Sequence, residues 1–167
     1  MAILFLYSYT KRFTSLSHLV LGLSIGCAPL AAWLAISGEF AWEPVLLSAA
    51  VMFWVAGFDV IYSLQDTDFD RNAKLFSLPS RFGAGPALKI SAAFHGATVV
   101  LLLATGTLAG SGWLVYAGIA IVSGILVWEH RIVKPDDLSR VNVAFFNLNG
   151  YVSILLLLTF AGDILIK

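Results

Sequence analysis

Long apolar runs separated by short polar ones make up most of the chain. Runs at about 15–36, 43–64, 86–108, 112–129 and 142–162 come close to the roughly 20 residues a helix needs to cross a bilayer. A segment in lipid must satisfy its own backbone polar groups, so each run is predicted to be a transmembrane helix. The fold class expected is all-α, a polytopic bundle of five full spans forming a single membrane domain over residues 1–167. Pro29 predicts a kink in the first span, tolerated if neighbours re-satisfy the freed backbone groups. The connections at 37–42 and 109–111 are short and contain Gly, as tight turns between antiparallel neighbours require. Those at 65–85 and 130–141 are longer and carry most of the charge. Residues 1–9 are apolar without the basic segment and cleavage site of a signal peptide. They read as the tail of a partial N-terminal helix, with further sequence expected before Met1.

Composition strengthens this picture. Hydrophobic residues make up 59% of the chain and charged residues 12%, with a mean hydropathy of +0.89, against about 25% charged in soluble domains. Net charge is zero, which removes any electrostatic case for nucleic acid. Cys27 stands alone in an apolar run, so neither a disulfide nor a cysteine-based metal site is expected. Nine of the ten basic residues, Lys11, Arg12, Arg71, Lys74, Arg81, Lys89, Arg131, Lys134 and Arg140, fall on one side of the predicted topology, and Lys167 on the other. The positive-inside rule makes the nine-residue side cytoplasmic. That places both long loops inside, and the location expected is a bacterial inner membrane.

The chemistry concentrates where the second span runs into its loop, in Asp59-Val-Ile-Tyr62-Ser-Leu-Gln65-Asp66-Thr-Asp68-Phe-Asp70-Arg71. If the helix continues, Asp59, Tyr62, Asp66 and Asp70 share one face and Asp68 points away. Asp66 and Asp70, one turn apart, are placed to act on one cation or one diphosphate. Asp59 lies roughly 10 Å deeper by helical rise. Hard oxygen ligands without His or Cys partners suit magnesium, which takes one or two carboxylates and fills its shell with water and substrate phosphates. A carboxylate at the depth of Asp59 is costly in a membrane and marks a functional site. The plainer alternatives are helix-end acids pairing with Arg71 and Lys74, and an inter-helix hydrogen bond for Asp59.

This DxxYxxxDxxxD pattern resembles the second aspartate-rich motif of the UbiA superfamily of membrane prenyltransferases. Tyr9-Thr-Lys11-Arg12-Phe-Thr14 is similar to that family's aromatic-x-Lys-Arg-x-Thr segment, and Phe82-Gly83 to the close of its loop. The run from Val133 to Asn142 (VKPDDLSRVN) resembles the 4-hydroxybenzoate polyprenyltransferase branch, which includes enzymes acting on a dihydroxynaphthoate in a menaquinone route. The resemblance implies a nine-helix fold of which this chain is the later part, from the end of the fourth helix onward. The family's first aspartate-rich motif is absent. Phe76-Ser77 stands where many members have Lys-Ser, which mildly favours the naphthoate branch.

What the resemblance implies is transfer of a polyprenyl group from an allylic diphosphate to an aromatic acid acceptor in ubiquinone or menaquinone biosynthesis. Asp66 and Asp70 would hold Mg2+ and diphosphate. Asp59 would orient or deprotonate the acceptor, with Tyr62 beside it. Lys11, Arg12, Arg71 and Lys74 would complement diphosphate charge, and Arg140 and Asn142 would reach the same cavity from the last span. With half the site supplied by a missing N-terminal half, the alternative is a catalytically silent chain that binds diphosphate or a partner. Outside the stripe, Asn147 and Asn149 are expected to bond across helices and His95 to be a satisfied interior residue. His18 near a span end and His130 in the loop add no metal spacing. Trp33, Trp42, Trp113 and Trp128 read as interface anchors.

Overall fold

The computed structural model describes residue 7 and residues 9–166; the apolar stretch expected to be a helix tail lies almost wholly outside them, as does Lys167. Five helices are long and apolar enough to cross a membrane, as the apolar runs predict. They are α1 (Ser17–Ser37), α2 (Trp42–Ser63), α5 (Ala84–Leu108), α6 (Trp113–Ile132) and a last span formed by a π-helical segment, Val143–Leu148, running into α7 (Asn149–Ile166). Two short helices, α3 (Thr67–Asn72) and α4 (Leu78–Phe82), occupy the first long loop. The chain is an integral membrane protein. Boundaries shift by a few residues: the last span runs to Ile166, four past its expected end, and α6 runs three past its own, so His130 sits on the helix and not in the loop.

α2 is the central element, packed along α1 on one side and α5 on the other. Its approach to α1 is set by glycine. A Cβ at Gly22 would overlap the Met52 carbonyl, and one at Gly26 would lie 2.8 Å from the Ser48 carbonyl oxygen. This small-xxx-small spacing lets two backbones approach without driving force from water. Beyond Pro29 the Leu30 N–H donates to Ser48 Oγ at 3.0 Å, a partner from the neighbouring helix for a backbone group beside the proline. At the far end of the bundle Asp163 accepts the Gly112 N–H at 2.9 Å, tying the start of α6 to the end of α7.

The loop between α2 and α5 is held by local hydrogen bonds. Ser77 caps α4 in a reciprocal pair with Ser80, the capping-box arrangement. α3 ends in a Schellman turn, with the Leu75 N–H donating to Asp70 O at 2.7 Å and the Lys74 N–H to Arg71 O at 3.2 Å. The left-handed position of that turn is Lys74, at φ 54, where a side chain costs roughly 1–2 kcal/mol.

Two expectations follow. Lys74→Gly should stabilise the folded chain by up to about 1 kcal/mol, read from the unfolding midpoint in detergent. Gly22→Leu should destabilise it by roughly 1–3 kcal/mol, the usual range for overpacking, because the clash is with backbone.

Candidate functional site

Asp59 is 8% exposed within α2 and meets a partner from α1. His18, fully buried, sits 2.7 Å from it, Nδ1 to Oδ2. The other ring nitrogen decides the tautomer. Nε2 accepts the Leu78 backbone N–H at 3.3 Å, so it carries no hydrogen, and Nδ1 donates to the carboxylate. One neutral imidazole thereby links α1, α2 and the start of α4. The Gly22–Met52 approach one turn away brings the two helices close enough for it. Sequence spacing could not reveal this partner, 41 residues from Asp59.

The helix does not continue unchanged through the stripe. Leu64–Asp66 forms a 3-10 turn before α3, with the Ser63 and Thr67 hydroxyls each donating to the carbonyl three residues back, both at 2.8 Å. Tighter winding turns the chain about 20° further per residue than an α-helix does, so the shared face is rotated between Tyr62 and Asp70. Asp66 is half-buried. Asp70 is 1% exposed and paired with Lys11, Nζ to Oδ2 at 3.2 Å. Asp68 is exposed, as its phase predicts. Tyr7 lies within electrostatic reach of Asp59, Asp66 and Asp70 together, so the three carboxylates converge on one region.

The basic candidates divide. Lys11 joins the stripe through Asp70, and its carbonyl accepts the Phe76 N–H at 2.6 Å. Arg12 turns outward, its guanidinium 5.5 Å from the centre of the exposed Tyr9 ring. Arg71 donates from Nε to the Ser80 carbonyl at 3.2 Å. With Lys74 and Arg81 it lines a basic cavity of about 560 Å³ in the loop, beside the stripe in sequence. Asn142 reaches the stripe, accepting from Gln65 Nε2 at 3.4 Å. Arg140 is exposed in the second long loop. There Lys134 and Asp137 exchange two backbone hydrogen bonds. Bonds from Ser139 hold the Asp137 carboxyl below its ordinary range.

Below the acids an aromatic ladder descends into the bundle. Tyr62 stacks on Phe145 at 4.3 Å between ring centres, Phe145 meets Phe58 at 5.4 Å, and Phe58 meets Trp54 at 5.7 Å. Trp54 Nε1 donates to Asn149 Oδ1 at 2.8 Å, and Asn149 Nδ2 donates to Glu129 Oε1 at 3.4 Å. Asn149 thus bonds across helices as expected, whereas Asn147 is exposed. Asn149 Nδ2 also takes the Ala144 and Phe145 carbonyls, both at 3.1 Å, on the π-helical turn that carries Phe145 to Tyr62. His95 is buried and within hydrogen-bond distance of His130, 3.0 Å between Nδ1 and Nε2, with Glu129 3.6 Å away. Among the described residues no group of three or more His, Cys, Asp or Glu is set to hold a metal by itself. A cation at the stripe would complete its shell with oxygen from water or a substrate.

Comparison with known proteins identifies the family of the chain. The UbiA prenyltransferase family matches residues 1–151. A 4-hydroxybenzoate octaprenyltransferase of Klebsiella pneumoniae is 29% identical over 161 residues, 96% of this chain and 55% of that protein. The mitochondrial 4-hydroxybenzoate polyprenyltransferase of Arabidopsis thaliana is 34% identical over 138 residues, 82% of this chain and 33% of that protein. A solved UbiA homolog from Aeropyrum pernix superposes with a TM-score of 0.81 at 34% identity, covering 98% of this chain and 61% of the homolog. The chain spans about half the length of the bacterial relatives it matches. It belongs to the UbiA prenyltransferase family.

Proposed function

We propose that this chain contributes the second acidic half of a magnesium-dependent site that transfers a polyprenyl group from an allylic diphosphate to an aromatic acid. 4-Hydroxybenzoate and a dihydroxynaphthoate are the two candidate acceptors. The observation that carries this reading is the continuity of Asp66, Tyr62 and Asp59 with the ladder Phe145, Phe58 and Trp54. A substrate that is anionic at one end and apolar along its length needs both surfaces in one line. Relatives named as 4-hydroxybenzoate polyprenyltransferases support the substrate class.

The donor set fits magnesium arriving with its diphosphate better than a resident ion. Asp66, half-buried at the loop end, would hold it, with Asp70 as the second carboxylate once Lys11 shifts to the diphosphate. Magnesium held there would supply charge neutralisation for the leaving diphosphate. Lys11, Arg71 and Lys74 supply positive charge to the departing diphosphate, while Arg12, Arg140 and Asn142 border the same opening. Asp59, deeper and held by His18, accepts the acceptor's phenolic hydrogen and aims the ring, with Tyr62 stacked beside it. Phe58, Phe145 and Trp54 keep water from the prenyl cation. The charged loops face the cytoplasm under the positive-inside rule, where the diphosphate is delivered.

In the purified chain Asp66→Asn should weaken magnesium-dependent binding of geranyl diphosphate by about 10- to 100-fold, the scale of one hydrogen-bonded charge. Calorimetry checks it, and unchanged affinity sinks the metal assignment. In a transfer-competent enzyme Asp59→Asn should leave that affinity within about threefold and reduce transfer at least about 100-fold. The silent alternative is favoured instead if diphosphate binds to the chain but no partner segment restores transfer.

A further inference from the structure

None of the stripe residues lines the opening between α5 and α6. α5 and α6 meet more loosely than α2 and α5 do, and between them lies a cavity of about 460 Å³. Its lining includes Ala92, Gly96 and His95 from α5 with Val127, His130 and Arg131 from α6. The walls are apolar apart from one end. The floor is open because Gly96 contributes no side chain, and a Cβ there would meet nothing within 4 Å.

Charge sits only at the loop end. Arg131 occupies the last turn of α6 and is exposed. Lys89, also exposed, precedes Ala92 and Gly96 by three and seven residues and so shares their face of α5. Neither cation has a carboxylate partner among the described residues. Glu129, two residues before Arg131, is 0% exposed and turned inward to Asn149. The hydrogen bond to His95 holds His130 in the groove wall, where its imidazole adds a polar group below Arg131.

We propose that this groove binds an anionic phospholipid, with the phosphate between Lys89 and Arg131 and one acyl chain along Ala92, Gly96 and Val127. A bilayer supplies this occupant to any open apolar groove. Two unpaired cations at the headgroup level select the anionic member, as basic pockets between transmembrane helices do. A zwitterionic lipid would bring its own cation to the same place and lose that selection.

The test is native mass spectrometry of the full chain extracted from mixed phosphatidylglycerol and phosphatidylcholine vesicles. Wild type should retain phosphatidylglycerol over phosphatidylcholine by about 30-fold, the ratio that two basic residues at about 1 kcal/mol each give at a lipid surface. The double variant Lys89→Glu, Arg131→Glu should lose the preference. Gly96→Leu should lose it by filling the groove, with its unfolding midpoint unchanged since the added side chain meets open space. Lys134→Glu, an exposed cation of the neighbouring loop, should keep it. Equal retention of both lipids by wild type overturns the proposal, as does survival of the preference in either groove variant. Loss in Lys134→Glu overturns it too, by making the attraction general. Retention of neither lipid, with a wild-type dimer that Gly96→Leu breaks, assigns the groove to a second copy instead.

Discussion

A carboxylate inside a membrane bundle must be met by hydrogen bonds or charge, and Asp59 imposes that constraint on everything around it. Its answer is His18, reached only because Gly22 and Gly26 let α1 lie directly on α2. The imidazole then spends its second nitrogen on the Leu78 N–H. The pair that makes Asp59 tolerable therefore also docks the loop that carries α4. A change at Gly22 reaches the loop by this route, although no residue there touches it.

Two systems of buried polar side chains flank the aromatic ladder. One comprises His18, Asp59, Asp70 and Lys11 and lies where the spans open into the first long loop. The other comprises Trp54, Asn149, Glu129, His95 and His130. The aromatic ladder joins them, with Tyr62 at the acidic end and Trp54 fixed by Asn149 at the other. Fixing the indole by a hydrogen bond holds the ladder's deep end in one orientation, which packing among apolar rings alone does less well. The same residue, Asn149, binds the carbonyls freed by the π-helical turn, so the irregular backbone and the ladder share one anchor.

The chain thus presents two unlike surfaces. Around the stripe the charges are mixed, and the ion pair of Lys11 and Asp70 leaves Asp66 as the carboxylate most available to a cation. Between α5 and α6 the charge is of one sign and sits above an apolar floor. The first is the surface proposed for a diphosphate with its divalent metal, the second the one proposed for a lipid phosphate.

The sequence by itself determined the five spans, because a run of apolar residues has one stable form in lipid, and it marked Asp59, Tyr62, Asp66 and Asp70 by their spacing. It also separated Asp68 from them, since phase around a helix needs no partner to be read. It could not show that the helix tightens at Leu64–Asp66, or that α6 extends to carry His130. Nor could it find His18 for Asp59, Lys11 for Asp70, or Trp54 and Glu129 for Asn149. Spans that are apolar all round carry little record of which face meets which neighbour. Only the tertiary structure decides the depth and rotation at which two helices pack, and those two quantities select the partner of every buried polar group.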